Sequence, residues 1–193
     1  NVGMRPLEDA SGEMGAASDP QRVVDFWRRA ETNWFSKDAG FDAGFRARFL
    51  TLHQEVAEGK HEDWLSEPFG ALALVILTDQ FPRNAFRGTP RMYATDPMAR
   101  RYARSALLAG YRDRIPEELR LFFCLPFAHA EDLADQLLSV ELNTELGEPW
   151  KSHAEGHCEI VRRFGRFPHR NAILGRQTTQ DEAAYLAAGG FQG

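Results

Sequence analysis

Residues 68–84 read Pro-Phe-Gly-Ala-Leu-Ala-Leu-Val-Ile-Leu-Thr-Asp-Gln-Phe-Pro-Arg-Asn, and the fold depends on how residues 68–80 are interpreted. This part is apolar on all sides, which is typical of either a central helix or a buried strand. Pro68 at its start, its length and the helical patterns around it favour a helix. The sequence offers no second segment that would pair with it as a strand. We therefore predict a buried central helix.

Two amphipathic helices are predicted on the N-terminal side. One runs from Asp38 to Glu58, where apolar residues recur at spacings of four, four, three and four, and Gly59 ends it. The recurring residues are Phe41, Phe45, Phe49, Leu52 and Val56. An earlier helix starts at Ser18-Asp19-Pro20 and reaches about Ala30.

Proline and capping signals start, and glycine signals end, a further series of helices on the C-terminal side. The predicted ranges are 95–110, 116–125 ending before Pro126, 129–146, 149–164, and a last helix behind the capping box Thr179–Glu182. The sequence thus predicts an all-α, antiparallel array of about eight helices. We expect one domain over residues 19–193, preceded by a flexible lead-in over residues 1–18.

Composition excludes several classes of function. The 193 residues are 43% hydrophobic and carry a net charge of −5, which suits a globular domain and disfavours nucleic acids or anionic membranes as partners. The longest apolar run, residues 71–77, is far shorter than the roughly 20 residues of a membrane span. Two isolated cysteines, Cys124 and Cys158, favour a reducing compartment, so we expect a cytoplasmic protein. No cofactor is predicted, and the oligomeric state is left open.

The first candidate site follows the central helix, in Asp79-Gln80-Phe81-Pro82-Arg83-Asn84. A carboxylate in the last turn of a buried helix meets the negative end of the helix dipole and needs a compensating cation. Arg83 and Arg87 are the nearest cations in the sequence. Two interpretations remain open: a structural ion pair, or a pocket acid that faces a ligand.

The second candidate site is an arginine-rich segment, residues 162–176, which holds five arginines and His169 in an otherwise acidic chain. Guanidinium groups bind carboxylates and phosphates in a bidentate manner. An anion pocket and a hub of salt bridges to Asp79, Asp96 or Glu131 both fit this pattern. The interleaved Phe and Arg side chains also resemble a nucleic-acid surface, but the net charge opposes that interpretation.

Histidines supply the remaining candidates. His153 and His157 share a helix face, yet the sequence places no third ligand beside them, so no metal site is predicted. His129 and His169 are candidates for an acid/base residue.

Several strings in the chain resemble one known bacterial family, the domain of unknown function 924 family, between about Asp25 and Phe191. The strings are Asp25-Phe26-Trp27, Trp34-Phe35-x-Lys37-Asp38, Leu74–Asn84, Arg87-Gly88-Thr89 and Arg163–Arg176. The resemblance implies an all-α fold similar to tetratricopeptide-repeat-like domains. It carries the family signature over to Asp79, Gln80, Arg83, Asn84, Arg163, Arg166, His169, Arg170, Asn171 and Arg176. Ala130 departs from the pattern, because a hydroxyl residue is expected there.

Three hypotheses about function follow from these residues. The leading one is a binding module, whose signature residues line a polar pocket for a small anionic metabolite or a peptide carboxylate. The alternatives are a hydrolase-type enzyme with His129 or His169 as acid/base and arginines that stabilise an anion, and a protein-interaction domain. The sequence leaves open whether the network around Asp79 lines an open pocket or forms a buried hub.

Overall fold

A computed structural model describes residues 18–193, and these residues form an array of helices without a strand. The α-helices are α1 (Asp19–Arg29), α2 (Ala39–Ala57), α3 (Pro68–Val75), α4 (Phe81–Ala85), α5 (Asp96–Leu108), α6 (Leu121–Ala128), α7 (Leu133–Leu146), α8 (Trp150–Phe164), α9 (Asn171–Leu174) and α10 (Gln180–Ala187). Short 3-10 turns join several of them. The all-α class is confirmed, and most of the predicted lead-in, residues 1–17, lies outside the described residues.

The helix ends are set largely by local sequence. Asp38 caps α2 by accepting a hydrogen bond from the Phe41 amide at 2.7 Å. Thr179 and Glu182 form the predicted capping box in front of α10. Each cap satisfies amide groups that a helix leaves without an internal partner.

The central position of α3 is also confirmed, because it packs against α1, α5 and α6. Aromatic rings fill the core beside it, and Trp27 stacks on Phe45 at 5.5 Å and meets Phe122 edge-on at 5.4 Å. A fully apolar helix is stable only where every side is covered, which explains why this segment lies at the centre.

The sequence suggested that the central helix ends at Gln80, but the helical segment continues beyond this residue. A π turn over Ile76–Gln80 connects α3 to α4, so Asp79 lies inside one continuous helical segment. Pro82 has no amide donor for the carbonyl oxygen of Thr78 four residues earlier, which accepts from Thr95 Oγ1 at 2.6 Å instead. π turns of this kind occur frequently at functional sites.

Two predicted boundaries around residue 129 were wrong. Pro126 lies inside α6 and does not end it, although an internal proline costs about 3 kcal/mol. Burial on all sides of this short apolar helix outweighs that cost. His129 follows α6, and the next helix starts only after Asp132, whose carboxylate caps it.

Candidate functional site

The π turn places Asp79 in the interior beside His129. Asp79 is 1% exposed, and its Oδ1 lies 2.7 Å from Nδ1 of His129. Gln80 Nε2 donates to Oδ2 at 3.1 Å, and Arg83 Nη1 donates to Oδ1 at 3.2 Å. Burial alone would raise the pKa of Asp79, but the charges and hydrogen bonds of these neighbours lower it to about 2. Asp79 is therefore an ionised carboxylate at neutral pH.

The Asp79 carboxylate also fixes the tautomer of His129. Burial and the Arg83 charge lower the pKa of His129, despite the attraction of Asp79, so the ring is neutral at neutral pH. Nδ1–H donates to Asp79, which leaves Nε2 as the basic nitrogen. Nε2 has no partner among the described residues, is not buried, and belongs to a side chain that lines a large cavity. This nitrogen can accept a proton from a bound molecule.

Two side chains hold the backbone of the segment that carries His129. Gln136, fully buried in α7, donates from Nε2 to the carbonyl oxygens of Ala128 and Ala130 at 2.8 and 2.7 Å. Arg170 Nη2 donates to the carbonyl oxygen of His129 at 2.8 Å. Three consecutive carbonyls are thus satisfied by side chains, which is why the chain leaves the helical conformation at this point.

Arg83 and Arg170 belong to one buried charge network. Arg83 forms a fork on both oxygens of Asp96, at 2.7 and 3.0 Å. Arg170 lies between the rings of Tyr93 and Phe167, at 4.3 and 4.7 Å, with Asp96 at 3.9 Å. Arg83 is thus paired with a carboxylate of the protein itself, whereas Arg170 has its nearest carboxylates at 3.8–3.9 Å and its Nε is buried without a hydrogen-bond partner.

Arg166 and Arg176 of the arginine-rich segment make ion pairs within the protein, whereas Arg163 lies over the Phe164 and Tyr185 rings. Arg176 binds both oxygens of Glu131, at 2.8 and 3.0 Å, and its Nε donates to Asn171 at 3.0 Å. Arg166 forms a fork on Glu182, at 2.9 and 2.8 Å. These contacts tie α8 and α10 to the segment beside His129 and leave the guanidinium groups little capacity for a ligand.

The cavity beside His129 has a volume of about 770 Å³, within the range of small-molecule sites. Of the predicted ligand-binding side chains, Gln80, Arg83 and Asn84 line it. Asp79 lies beneath its wall. The others, namely Arg163, Arg166, His169, Arg170, Asn171 and Arg176, are not among the lining residues. The candidate acid/base His129 lines the cavity, whereas His169 does not.

Most of the lining was not predicted from sequence. Trp34 is buried, whereas Phe35 is 58% exposed and stands at the cavity together with Lys37. Trp150, His153, Ala154, Gly156 and His157 of α8 form another part of the wall, and Phe191 a third. The only signal in the sequence was the string Trp34-Phe35-x-Lys37-Asp38, which joins large aromatics directly to a cation.

The lining has a marked charge asymmetry. It contains the cations Lys37, Arg83 and Arg87 and the histidines 129, 153 and 157, but no Asp or Glu side chain among the described residues. Arg83 is paired as above, and Arg87 is paired with Asp42 at 2.9 Å. Lys37 has no Asp or Glu partner in residues 18–193, and its Nζ lies 3.4 Å from the main-chain oxygen of Gly193.

Two half-buried histidines lie against Phe191 without forming a metal site. Phe191 packs edge-on against His157 at 4.8 Å and His169 at 5.0 Å. Burial lowers the pKa of each of these two histidines to about 4, with neighbouring positive groups adding to the effect. Over residues 18–193, no three His, Cys, Asp or Glu side chains come together as metal ligands would.

Comparisons with known proteins place the chain in a family. No helix in the described part of the chain combines the length and apolar character needed to cross a bilayer. No curated protein matches the sequence. The solved structure of the protein of unknown function ATU0120 from Agrobacterium tumefaciens is similar, with 50% identity and a TM-score of 0.85 over 88% of this chain and 97% of that one. The profile of a family described as bacterial protein of unknown function (DUF924) matches residues 23–190. The chain therefore belongs to the bacterial DUF924 family.

Proposed function

We propose that the cavity beside His129 binds a small organic acid, either a metabolite or the carboxylate end of a peptide. One observation carries this proposal: the lining combines cations and neutral histidines with apolar walls and has no Asp or Glu side chain in the described residues. Lys37, a cation of the lining without an Asp or Glu partner in residues 18–193, attracts an anion more strongly beside low-dielectric walls than in water. The volume of about 770 Å³ accommodates a molecule of metabolite size.

Lys37 is the residue that we assign to the acidic group. Arg83 and Arg87 already form ion pairs with protein carboxylates, so their charge is largely compensated. The contact of Lys37 with Gly193 is long for a charge-assisted hydrogen bond, for which 2.7–2.9 Å is usual. A ligand carboxylate can replace that contact with a shorter one. Gln80 and Asn84 remain as polar groups of the wall.

Isothermal titration calorimetry with a panel of small carboxylates and their amide and amine analogues tests this proposal. We expect carboxylates to bind, their neutral or cationic analogues to bind at least tenfold more weakly, and Lys37→Gln to weaken the carboxylates. Lys60→Gln is the matched control, because Lys60 is exposed and distant from the cavity lining. Amines that bind as tightly as acids, or unchanged binding by Lys37→Gln, would contradict the proposal.

A second candidate function is an acid/base enzyme such as a hydrolase that acts on a ligand in the same cavity. The observation that favours it is the geometry of Asp79 and His129, in which a buried carboxylate fixes one ring nitrogen and leaves the other open to the cavity. General base catalysis contributes about 10²–10⁴-fold to a rate. His169 is the weaker candidate, because its Nδ1 is buried without a partner.

Turnover of esters and amides of the bound acids tests this second function. His129→Gln should lower the turnover number about 10²-fold or more while binding remains. Activity should fall as the pH decreases through the pKa of His129, because a protonated ring cannot accept a proton. Unchanged turnover by His129→Gln would exclude His129 as the base.

We also propose that the protein works in the cytoplasm. Cys124 and Cys158 are both free and buried, and burial raises the pKa of the Cys124 thiol to about 11. Unpaired thiols of this kind are typical of reducing compartments. Fractionation of cells with a compartment marker tests this, and recovery outside the cytoplasm would contradict it.

A further inference from the structure

Large aromatic side chains stand exposed at the cavity where burial would be expected. Phe35 is 58% exposed and Phe191 is 37% exposed, although both line the cavity. Isolated exposed apolar residues are common, but both of these exposed rings lie in the wall of one cavity. A ligand that covers them would remove that surface from water.

Phe35 is also held in a defined orientation. Its ring lies 5.7 Å from Trp150 at an interplanar angle of 51° and 6.4 Å from Phe122 at 20°. These contacts fix the ring although more than half of it is accessible. A ring held in this way can offer its face or edge to a second ring without losing further conformational freedom.

The same short segment carries the cation. Lys37 follows Phe35 by two residues, so an aromatic surface and an ammonium group without an Asp or Glu partner in residues 18–193 are contributed by one loop between α1 and α2. A ligand that satisfies both needs a ring and an acidic group a few bonds apart. Leu125, Ala154 and Ile160 complete the apolar wall.

We propose that the ligand of this cavity is an aryl-substituted carboxylic acid, with its ring against Phe35 and Trp150 and its carboxylate at Lys37. The inference rests on the proposed function and narrows it to a chemical class. An aliphatic acid of the same size fills the apolar wall equally well, but it lacks the ring quadrupole that makes aromatic pairs favourable beyond their buried area.

Calorimetric titration with two acids of matched length, 3-phenylpropionate and 3-cyclohexylpropionate, separates these cases. The saturated ring is the more hydrophobic, so a merely apolar wall favours the cyclohexyl acid. Aromatic pairing reverses the order, and we expect the phenyl acid to bind about two- to tenfold more tightly. Phe35→Leu should abolish this preference, Phe35→Tyr should retain it, and Lys37→Gln should weaken both acids equally.

The outcomes distinguish the two proposals. If both acids bind but the cyclohexyl acid binds as well as the phenyl acid or better, the aromatic class is wrong and the acid-binding function stands. The aromatic class is also wrong if Phe35→Leu, shown by circular dichroism to be folded, still binds the phenyl acid more tightly than the cyclohexyl acid. If neither acid binds, or if 3-phenylpropan-1-amine binds as tightly as the acids, the proposed function fails together with the inference.

Discussion

Replacement of Asp79 by Asn measures what the buried carboxylate contributes. Asn has nearly the same shape, and its side-chain oxygen can still accept from His129 and Arg83, so the variant removes the charge and the acceptor for Gln80 Nε2 at the second oxygen. The pKa of Asp79 is lowered from its ordinary value of 3.8 to about 2. Because one pKa unit is equivalent to 1.36 kcal/mol, the charge contributes on the order of 2 kcal/mol of stability at pH 7. Loss of one partner from a buried pair costs about 3–5 kcal/mol, but Arg83 keeps Asp96, so we expect about 2–3 kcal/mol.

Urea denaturation at pH 7, 5 and 3 checks both the size and the origin of this loss. Because the folded-state pKa of Asp79 is lowered, its stabilising contribution is complete above about pH 4 and disappears as the pH falls through about 2. The difference between wild type and Asp79→Asn should therefore be similar at pH 7 and 5 and about half as large at pH 3. Asp63→Asn, at an exposed position, should change the free energy of unfolding by less than about 0.5 kcal/mol.

Two results would refute this reasoning about Asp79. If the variant is as stable as wild type at pH 7, the desolvation of the carboxylate costs as much free energy as its ion pairs and hydrogen bonds contribute. If the loss is large but independent of pH, it arises from altered packing or hydrogen bonding and the charge is irrelevant.

Three further changes test other parts of the structure. Gln136→Leu removes the donor to the two carbonyls that flank His129 and should lower the free energy of unfolding by about 2 kcal/mol in urea denaturation; a loss below 0.5 kcal/mol would contradict this role. Between pH 6.5 and 4 the unfolded chain binds more protons at His157 than the folded chain, so stability decreases as the pH is lowered. His157→Gln should make the loss of stability between pH 7 and 5 smaller by about 2 kcal/mol. An unchanged loss would refute the lowered pKa. Gly70→Ala places a Cβ 2.1 Å from the main-chain oxygen of Trp64 and should lower the melting temperature by about 6–12 °C. Gly44→Ala, with free space around it, should not destabilise the protein. Equal melting temperatures of the two variants would show that α3 can shift at no cost.

Much of the helical framework could be predicted because it rests on local interactions. The caps Asp38 and Thr179 bond to amides three residues ahead, and such contacts are visible in a linear sequence. The central helix from Pro68 was predictable for a different reason, since a stretch without a polar face can only be stable where other helices cover it.

The boundaries near His129 could not be predicted, because distant residues determine them. The carbonyls of this segment are satisfied by Gln136 and by Arg170, the latter 41 positions away. Pro126 predicted the end of one helix and the periodicity after it predicted the start of the next, and both predictions were wrong. Tertiary hydrogen bonds overrode both local signals.

The fold class, the family resemblance and the residue types that are available for chemistry, including Asp79 and His129, follow from the amino-acid sequence. Which of these residues face a cavity depends on how the helices pack. Arg83 pairs with Asp96 and Arg176 with Glu131, whereas Lys37 keeps its charge free of any Asp or Glu in the described residues. The physical reason is that an ion pair depends on distance and desolvation, and partners up to 45 positions apart come together only when the helices pack.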